Sequence, residues 1–283
     1  MTEKILILDF GSQYTQLIAR NVREMNVYCE IIPFYDEIKF DDSIKGIILS
    51  GSPYSVNEEN APTVDVKAMN AKLPVLGICY GAQLTTKLYN GKVEKSSSRE
   101  YGRAKLCNIQ PGHDILNGIE EKNQVWMSHA DTITELADNA EIIAQTDSIP
   151  MAAFQIKGTP NPLIGLQFHP EVTHSENGKT ILKNFVVGIC GCAQTWTSAG
   201  YIKQTVEEIK LKVGDKKVIM ALSGGVDSTV AATLIHRAIG KNLFCIFVDN
   251  GLLRKNEFHD VLEAYKVLGL NIKGVDASQK FYS

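Results

Sequence analysis

At 283 residues and a formal net charge of −3, the chain has no basic footprint for nucleic acid and no polybasic membrane signal. Its 44% hydrophobic and 22% charged content suits a globular protein with a sizeable core, and no apolar run approaches the ~18 residues of a membrane span. Length favours two domains, at roughly 100–200 residues each. The opening MTEKILILDF is too short between Lys4 and Gly11 to read as a signal peptide. Cys29, Cys79, Cys107, Cys190, Cys192 and Cys245 are scattered, so reduced thiols in a cytoplasmic protein are expected rather than a disulfide framework. The one close pair, Cys190 and Cys192, reads as two small residues near a domain end.

In chain order, Lys4 to Asp9 (KILILD) is a short, continuous apolar run and predicts a buried parallel strand. Tyr14, Leu17, Ile18, Val22 and Met25 then recur at helical spacing. Strands are predicted at Val27–Pro33, Gly46–Ser50 and Pro74–Ile78, with a helix over Val64–Leu73. This alternation implies a mostly parallel sheet with helices on its faces. From Gly91 to Gln167 the pattern changes to short alternating stretches, among them Ala104–Ile109, Val125–Met127 and Ala152–Ile156, which suggest antiparallel hairpins. Leu163–Phe168 is again a strand and Thr180–Val187 a helix. The predicted boundaries are a first domain over residues 1–190, a linker over 191–200, and a second α/β region over 201–283. That second region opens with an amphipathic helix, Tyr201–Lys212. Strand Lys217–Leu222, helix Ser228–Ile239, strand Leu243–Val248, helix Glu257–Leu268 and strand Asn271–Val275 follow.

Two stretches carry chemistry. Gly77-Ile78-Cys79-Tyr80-Gly81, between a strand and a helix, has the form of a nucleophile elbow. Glycines relieve crowding where the chain reverses, and a helix N-terminus favours thiolate. On the turn alone, a thiol packed as a small hydrophobe is an equal reading. Gln167-Phe168-His169-Pro170-Glu171, at another strand end, supplies a base in His169 and a carboxylate, Glu171, able to hold its ring. The second stretch, Ser223-Gly224-Gly225-Val226-Asp227-Ser228, follows a strand and opens a helix, so its amides and hydroxyls can converge on phosphate. It lacks the lysine of a Walker loop.

GICYG with FHPE resembles the class I glutamine amidotransferases over roughly residues 4 to 188. The resemblance implies that a Cys79 thiolate attacks the glutamine side-chain amide, with His169 as base and Glu171 as its orienting carboxylate. It implies an oxyanion hole from the amides of Ser52 and Tyr80, and a substrate-holding role for Gln83, whose plain alternative is a solvated helix residue. The family usually has two glycines before Pro53. Here Ser52 is the second, and it would be strained if that turn needs a positive φ.

SGGVDS resembles the pyrophosphate loop of the N-type ATP pyrophosphatases. Residues Ser223, Gly224, Gly225, Val226, Asp227, Ser228 and Thr229 would then hold ATP phosphates, and Asp227 would help hold Mg²⁺. The fold this implies is a mixed, mostly parallel α/β amidotransferase sheet plus part of a second α/β domain of the adenine nucleotide α-hydrolase kind. Together the two signatures resemble the glutamine-hydrolysing GMP synthases, which aminate xanthosine monophosphate with ATP. DFGSQY (9–14), REYGR (99–103), WMSHAD (126–131) and FVDNGLLR (247–254) carry the same likeness. Members of that family run well past the equivalent of Ser283 and are dimeric. The expectation is therefore a complete glutaminase half with the opening of an ATP half. Glutamine and ATP would be substrates, the xanthylate site mostly missing, and neither nucleic acid nor membrane a partner. A glutaminase subunit serving another synthetase, or a non-catalytic binding module, remains open. His129 reads equally as an interface residue or a packed one.

Overall fold

The computed structural model describes residues 2–282, with the side chains of 96–100 outside the description. The chain divides into two compact units, Met1–Trp196 and Thr197–Ser283.

The first unit is built on a nine-stranded sheet. Strand β1 (Lys4–Asp9) leads through α1 (Thr15–Glu24) to β2 (Tyr28–Pro33), then β3 (Ile44–Leu49). A short helix, α2 (Val66–Asn70), precedes β4 (Val75–Ile78), and α3 (Tyr80–Leu88) follows it directly. The antiparallel part comprises β5 (Lys92–Cys107), β6 (Gln124–Glu135), β7 (Ala140–Thr146) and β8 (Ala153–Ile156), and β9 (Leu163–Leu166) returns to the parallel core. The sheet order is β2-β1-β3-β4-β9-β8-β7-β5-β6, parallel from β2 to β9 and antiparallel beyond. Helix α4 (Gly178–Lys183) runs on into a π-helical turn, Asn184–Ile189.

Alternate residues of β1 enter different cores. Ile5 and Ile7 pack with α1 and Phe185 on one face of the sheet, while Leu6 and Leu8 pack with Val66 and Tyr80 on the other. Burial on both faces is why the central strands read as continuous apolar runs.

Differences from the sequence reading have local causes. The helix expected over Val64–Leu73 shrinks to Val66–Asn70, where the Asp65 carboxylate accepts the Ala68 amide at 2.9 Å and fixes the start. Strand β5 runs from Lys92, well ahead of the expected Ala104, because pairing with β6 holds a segment rich in Lys, Ser and Arg that shows no apolar alternation. Strand β7 has no counterpart among the predicted elements. Glu141 and Gln145 interrupt its apolar pattern, and pairing with β8 maintains it.

Within the stretch read as a linker, the Ala193 amide donates to Glu3, Gln194 donates to the Met25 carbonyl, and Trp196 stacks on Tyr28, all in the first unit.

In the second unit, α5 (Ser198–Val213) is capped by the Thr197 hydroxyl, which accepts from Gly200 N at 3.1 Å. Strands β10 (Val218–Leu222), β11 (Leu243–Asp249) and β12 (Ile272–Asp276) pair in parallel, joined by α6 (Val226–Ile239) and α7 (Glu257–Val267). One small cluster, centred on Leu222, Ala232, Leu243, Cys245 and Tyr265, forms its core.

Candidate active site

Strands β4 and β9 are parallel neighbours with Ile78 opposite Leu166, so the residues that follow them emerge side by side. The Cys79 amide donates to the Leu166 carbonyl at 2.7 Å, which carries the pairing one residue past the strand. Cys79 follows β4, and Gln167 and His169 follow β9. On the other side of β4, Leu49 pairs with Gly77, so β3 delivers Ser50, Gly51 and Ser52 to the same edge. Three carboxyl ends of parallel strands thus converge, the usual place for a ligand in an α/β sheet.

The turn at Cys79 is tight. Cys79 has φ 51° and ψ −102°, a left-handed backbone that L-residues adopt at a cost. A Cβ at Gly77 would lie 2.5 Å from the Gly81 carbonyl carbon, and one at Gly81 would lie 2.6 Å from Leu49. No side chain fits at either position. The bend presses α3 against β3 and β4 and leaves the thiol at the helix N-terminus.

His169 is 3% exposed and Glu171 4% exposed. The Nδ1 of His169 lies 2.7 Å from Glu171 Oε1, while Oε2 of that carboxylate is buried with no hydrogen-bond partner among the described residues. The remaining face of the imidazole meets the Tyr14 ring edge-on at 5.2 Å, and Gly51 lies against its Cε1. Backbone anchors hold the loop: the His169 amide donates to the Trp126 carbonyl at 3.0 Å, and Ser175 Oγ donates to the His169 carbonyl at 2.6 Å. Burial alone would depress this imidazole. The Glu171 carboxylate and the Cys79 sulfur outweigh burial and raise it well above its ordinary value. Burial pushes Cys29 and Cys192 up to about 11 and raises Cys190, Cys245 and Cys107 as well, which disfavours their thiolates.

Cys79, Gln83, His169, Ser52 and Tyr80 all line one cavity of about 780 Å³. Ser52 is absent from the residues with left-handed backbone, so serine carries no strain there. Its hydroxyl donates to the Phe10 carbonyl at 2.8 Å and accepts the Tyr54 amide, which pins the loop. Tyr80 begins α3, where helical amides have no intrahelical acceptor. Gln83 is only 3% exposed, which rules out the solvated-helix alternative. Its Nε2 donates to the Asp131 carbonyl at 2.8 Å. His129 is 5% exposed and lines the same cavity, and burial pushes it down to about 4 despite the opposing pull of the Asp131 backbone.

Two residues of the cavity region had no role assigned from sequence, although both sit in quoted motifs. Gln167 is fully buried beside the sulfur. Asp131 is 9% exposed and lines the cavity with a buried Oδ2 that has no partner among the described residues. The side chains of Arg99 and Glu100 in REYGR lie outside the described residues.

In the second unit, residues 223–225 join β10 to α6, and residues 226–229 form the first turn of that helix. Gly224 has φ +78°, which favours glycine. Ser223 Oγ and Ser228 Oγ are 3.1 Å apart, and Thr229 Oγ1 donates to the Gly225 carbonyl at 2.7 Å and meets Tyr265 OH at 2.8 Å. The loop and Asp227 are exposed at the start of a helix of 14 residues. This donor set of hydroxyls and open amides fits a phosphate chain. Among the described residues no group of three or more His, Cys, Asp or Glu could hold a metal, and no helix is long and apolar enough to cross a membrane. All six cysteines are free.

Comparison with known proteins matches both units. Residues 6–189 match the family model for class-I glutamine amidotransferases, and residues 197–282 match the model for NAD synthase. The chain is 58% identical over 282 residues to the glutamine-hydrolysing GMP synthase of Cytophaga hutchinsonii, and 56% identical over 283 residues to that of Bacteroides thetaiotaomicron. Both alignments cover 100% of this chain and 55% of the relative, so the chain spans about half the length of the curated relatives it matches. Among solved structures, a Thermoplasma acidophilum protein provisionally named as one subunit of a GMP synthase superposes with a TM-score of 0.59 at 30% identity, over 72% of this chain and 98% of that one. An elbow cysteine beside a strand-end His-Pro-Glu, in a sheet that superposes on that protein and over a stretch matching the family model, places the chain in the class-I glutamine amidotransferase family.

Proposed function

We propose that the first unit hydrolyses glutamine to glutamate and ammonia, and that the ammonia serves the ATP-dependent amination of xanthosine monophosphate to GMP. The observation that carries this is the convergence of Cys79 with the His169–Glu171 pair at neighbouring strand ends, over a cavity large enough for an amino acid. Cys79 Sγ attacks the side-chain carbonyl carbon of glutamine, and the amides of Tyr80 and Ser52 stabilise the oxyanion. The His169 imidazolium then protonates the departing nitrogen, so ammonia leaves and a γ-glutamyl thioester remains. His169, now neutral, takes a proton from water as the water attacks the thioester, and glutamate and the sulfur are released. Glu171 holds the ring and balances its charge in each half. The orphaned Asp131 carboxylate oxygen suits the α-ammonium of the substrate.

In the second unit, Ser223 to Thr229 would hold ATP phosphates, and bound ATP would supply an adenylyl group to activate the acceptor oxygen. Asp227 alone makes no metal site, so Mg²⁺ there would take its other ligands from phosphate and water. Six free thiols suit the cytoplasm. Partition into a separate glutaminase polypeptide has one supporting observation: the Thermoplasma protein, named as part of a synthase, is covered over 98% of its length. Strain at Ser52, a reason to doubt turnover, is absent from the structure.

The test is glutamate release from glutamine by the purified chain and its Cys79→Ala variant, with and without ATP-Mg²⁺ and xanthylate. Release by the parent chain that disappears in the variant is expected, by at least ~10⁴-fold. Equal release by both sinks the reading.

A further inference from the structure

We propose that Gln167 is a positioning residue: one end of its amide hydrogen-bonds the Cys79 sulfur, and the other fixes which way the Gln83 amide faces. The inference rests on the glutamine-hydrolysis reading for its consequence at the substrate, but not for its contact with sulfur. Gln167 follows β9 directly, and the register that pairs Ile78 with Leu166 sets it beside Cys79. Its side chain is fully enclosed. Gln167 Nε2 points at Cys79 Sγ from 3.9 Å, and its Oε1 accepts Gln83 Nε2 at 3.4 Å. The same Gln83 nitrogen donates to the Asp131 carbonyl at 2.8 Å.

The donor and acceptor inventory makes this a directed chain. A thiolate only accepts, so Gln167 must turn its NH₂ to the sulfur and its oxygen away. That oxygen, together with the Asp131 carbonyl, draws the Gln83 NH₂ inward. The atom of Gln83 left for the cavity is Oε1, an acceptor. An acceptor there, on the wall that also carries the orphaned Asp131 Oδ2, reads N–H donors rather than a carboxylate. The α-ammonium of an amino-acid amide is such a group. Gln167 thereby links the charge on the nucleophile to the polarity of the substrate site. A buried amide without these partners would be an unsatisfied polar group, so the arrangement is also the one burial favours.

The test uses the full chain and two neutral variants of similar size without the N–H donor, Gln167→Met and Gln167→Leu. The first readout is the rate of iodoacetamide alkylation against pH, without glutamine, with background from the other cysteines set by Cys79→Ser. Thermal unfolding confirms that each variant is folded. Removing the donor is expected to move the acid limb of the profile up by about one pH unit. The glutamine KM should also rise, by about tenfold, as Gln83 becomes free to turn. A purely structural role would leave the limb in place. A folded Gln167→Met with the parent limb overturns the proposal, and if that variant does not fold, Gln167→Leu decides by the same criterion. A displaced limb in a chain that releases no glutamate upholds the sulfur contact and removes the glutamine reading instead.

Discussion

The two units present their loops in opposite ways. Cys79, His169 and Glu171 are at most 5% exposed, enclosed by a sheet that is covered on both faces. In the second unit Val226 of the phosphate-type loop is 77% exposed, and Ile219 at 74% stands bare on one face of a three-stranded sheet. The enclosure of the first site follows from the chemistry it supports. Raising an imidazole well above its ordinary value needs a carboxylate and a sulfur held close in a place that water does not screen, and that requires core on every side. Backbone amides and hydroxyls need no such enclosure to meet a phosphate, because their polarity is fixed by the turn. A core on both faces of the first sheet can therefore hold a triad built from its own side chains.

The sharpest way to break this comparison is at the carboxylate. Glu171→Gln keeps the shape but removes the charge that holds His169. The expected loss in kcat is ~10³–10⁴-fold, by analogy with other orienting carboxylates. The pH dependence should change as well. Because the folded-state value of His169 is raised, its contribution to stability is fully present below the ordinary histidine value and fades as pH rises through the raised one. The parent chain should therefore lose stability on the alkaline side, together with the imidazolium that the proposed mechanism needs to protonate the departing nitrogen. In Glu171→Gln that alkaline loss should begin at lower pH. Thermal melts and kcat profiles across the range measure both, and a variant with the parent profile would show that enclosure and not charge sets the imidazole.

Packing at the elbow gives the next effect. Gly77→Ala places a Cβ 2.5 Å from backbone that cannot swing aside, so about 3 kcal/mol of destabilisation or more is expected. Gly188→Ala meets nothing within 4 Å and should change stability by less than about 0.5 kcal/mol. Denaturant melts of the pair measure the difference. Equal melts would mean that the turn is not as tight as its backbone shows.

What could be read in advance follows the same division. The central parallel strands were legible because burial on both faces leaves continuous apolar runs, and the Cys79 and His169–Glu171 motifs stand directly at the ends of two of them. Most of β5 and all of β7 were not. They are held by cross-strand partners tens of residues away, and polar stretches such as KSSSRE carry no period of their own. Gln167 and Asp131 stood inside recognised motifs, yet only strand register shows that one reaches the sulfur and the other the cavity. Spacing along the chain does not encode which atom of an amide faces inward.

The smallest expected effect tests whether the first unit is self-sufficient. Ser228→Ala removes hydroxyl contacts to Ser223 Oγ and the Gly225 carbonyl, both at 3.1 Å in an exposed loop, and should lower stability by about 1 kcal/mol or less. If the loop is a phosphate cradle, the variant should bind ATP-Mg²⁺ more weakly than the parent chain, read by equilibrium dialysis with labelled nucleotide. Glutamate release without nucleotide should stay within about twofold, since no group that handles the sulfur or the imidazole is touched. A tenfold fall in that nucleotide-free rate would mean that the enclosed triad depends on the exposed loop, and the division drawn between a self-built site and an open cradle would not hold.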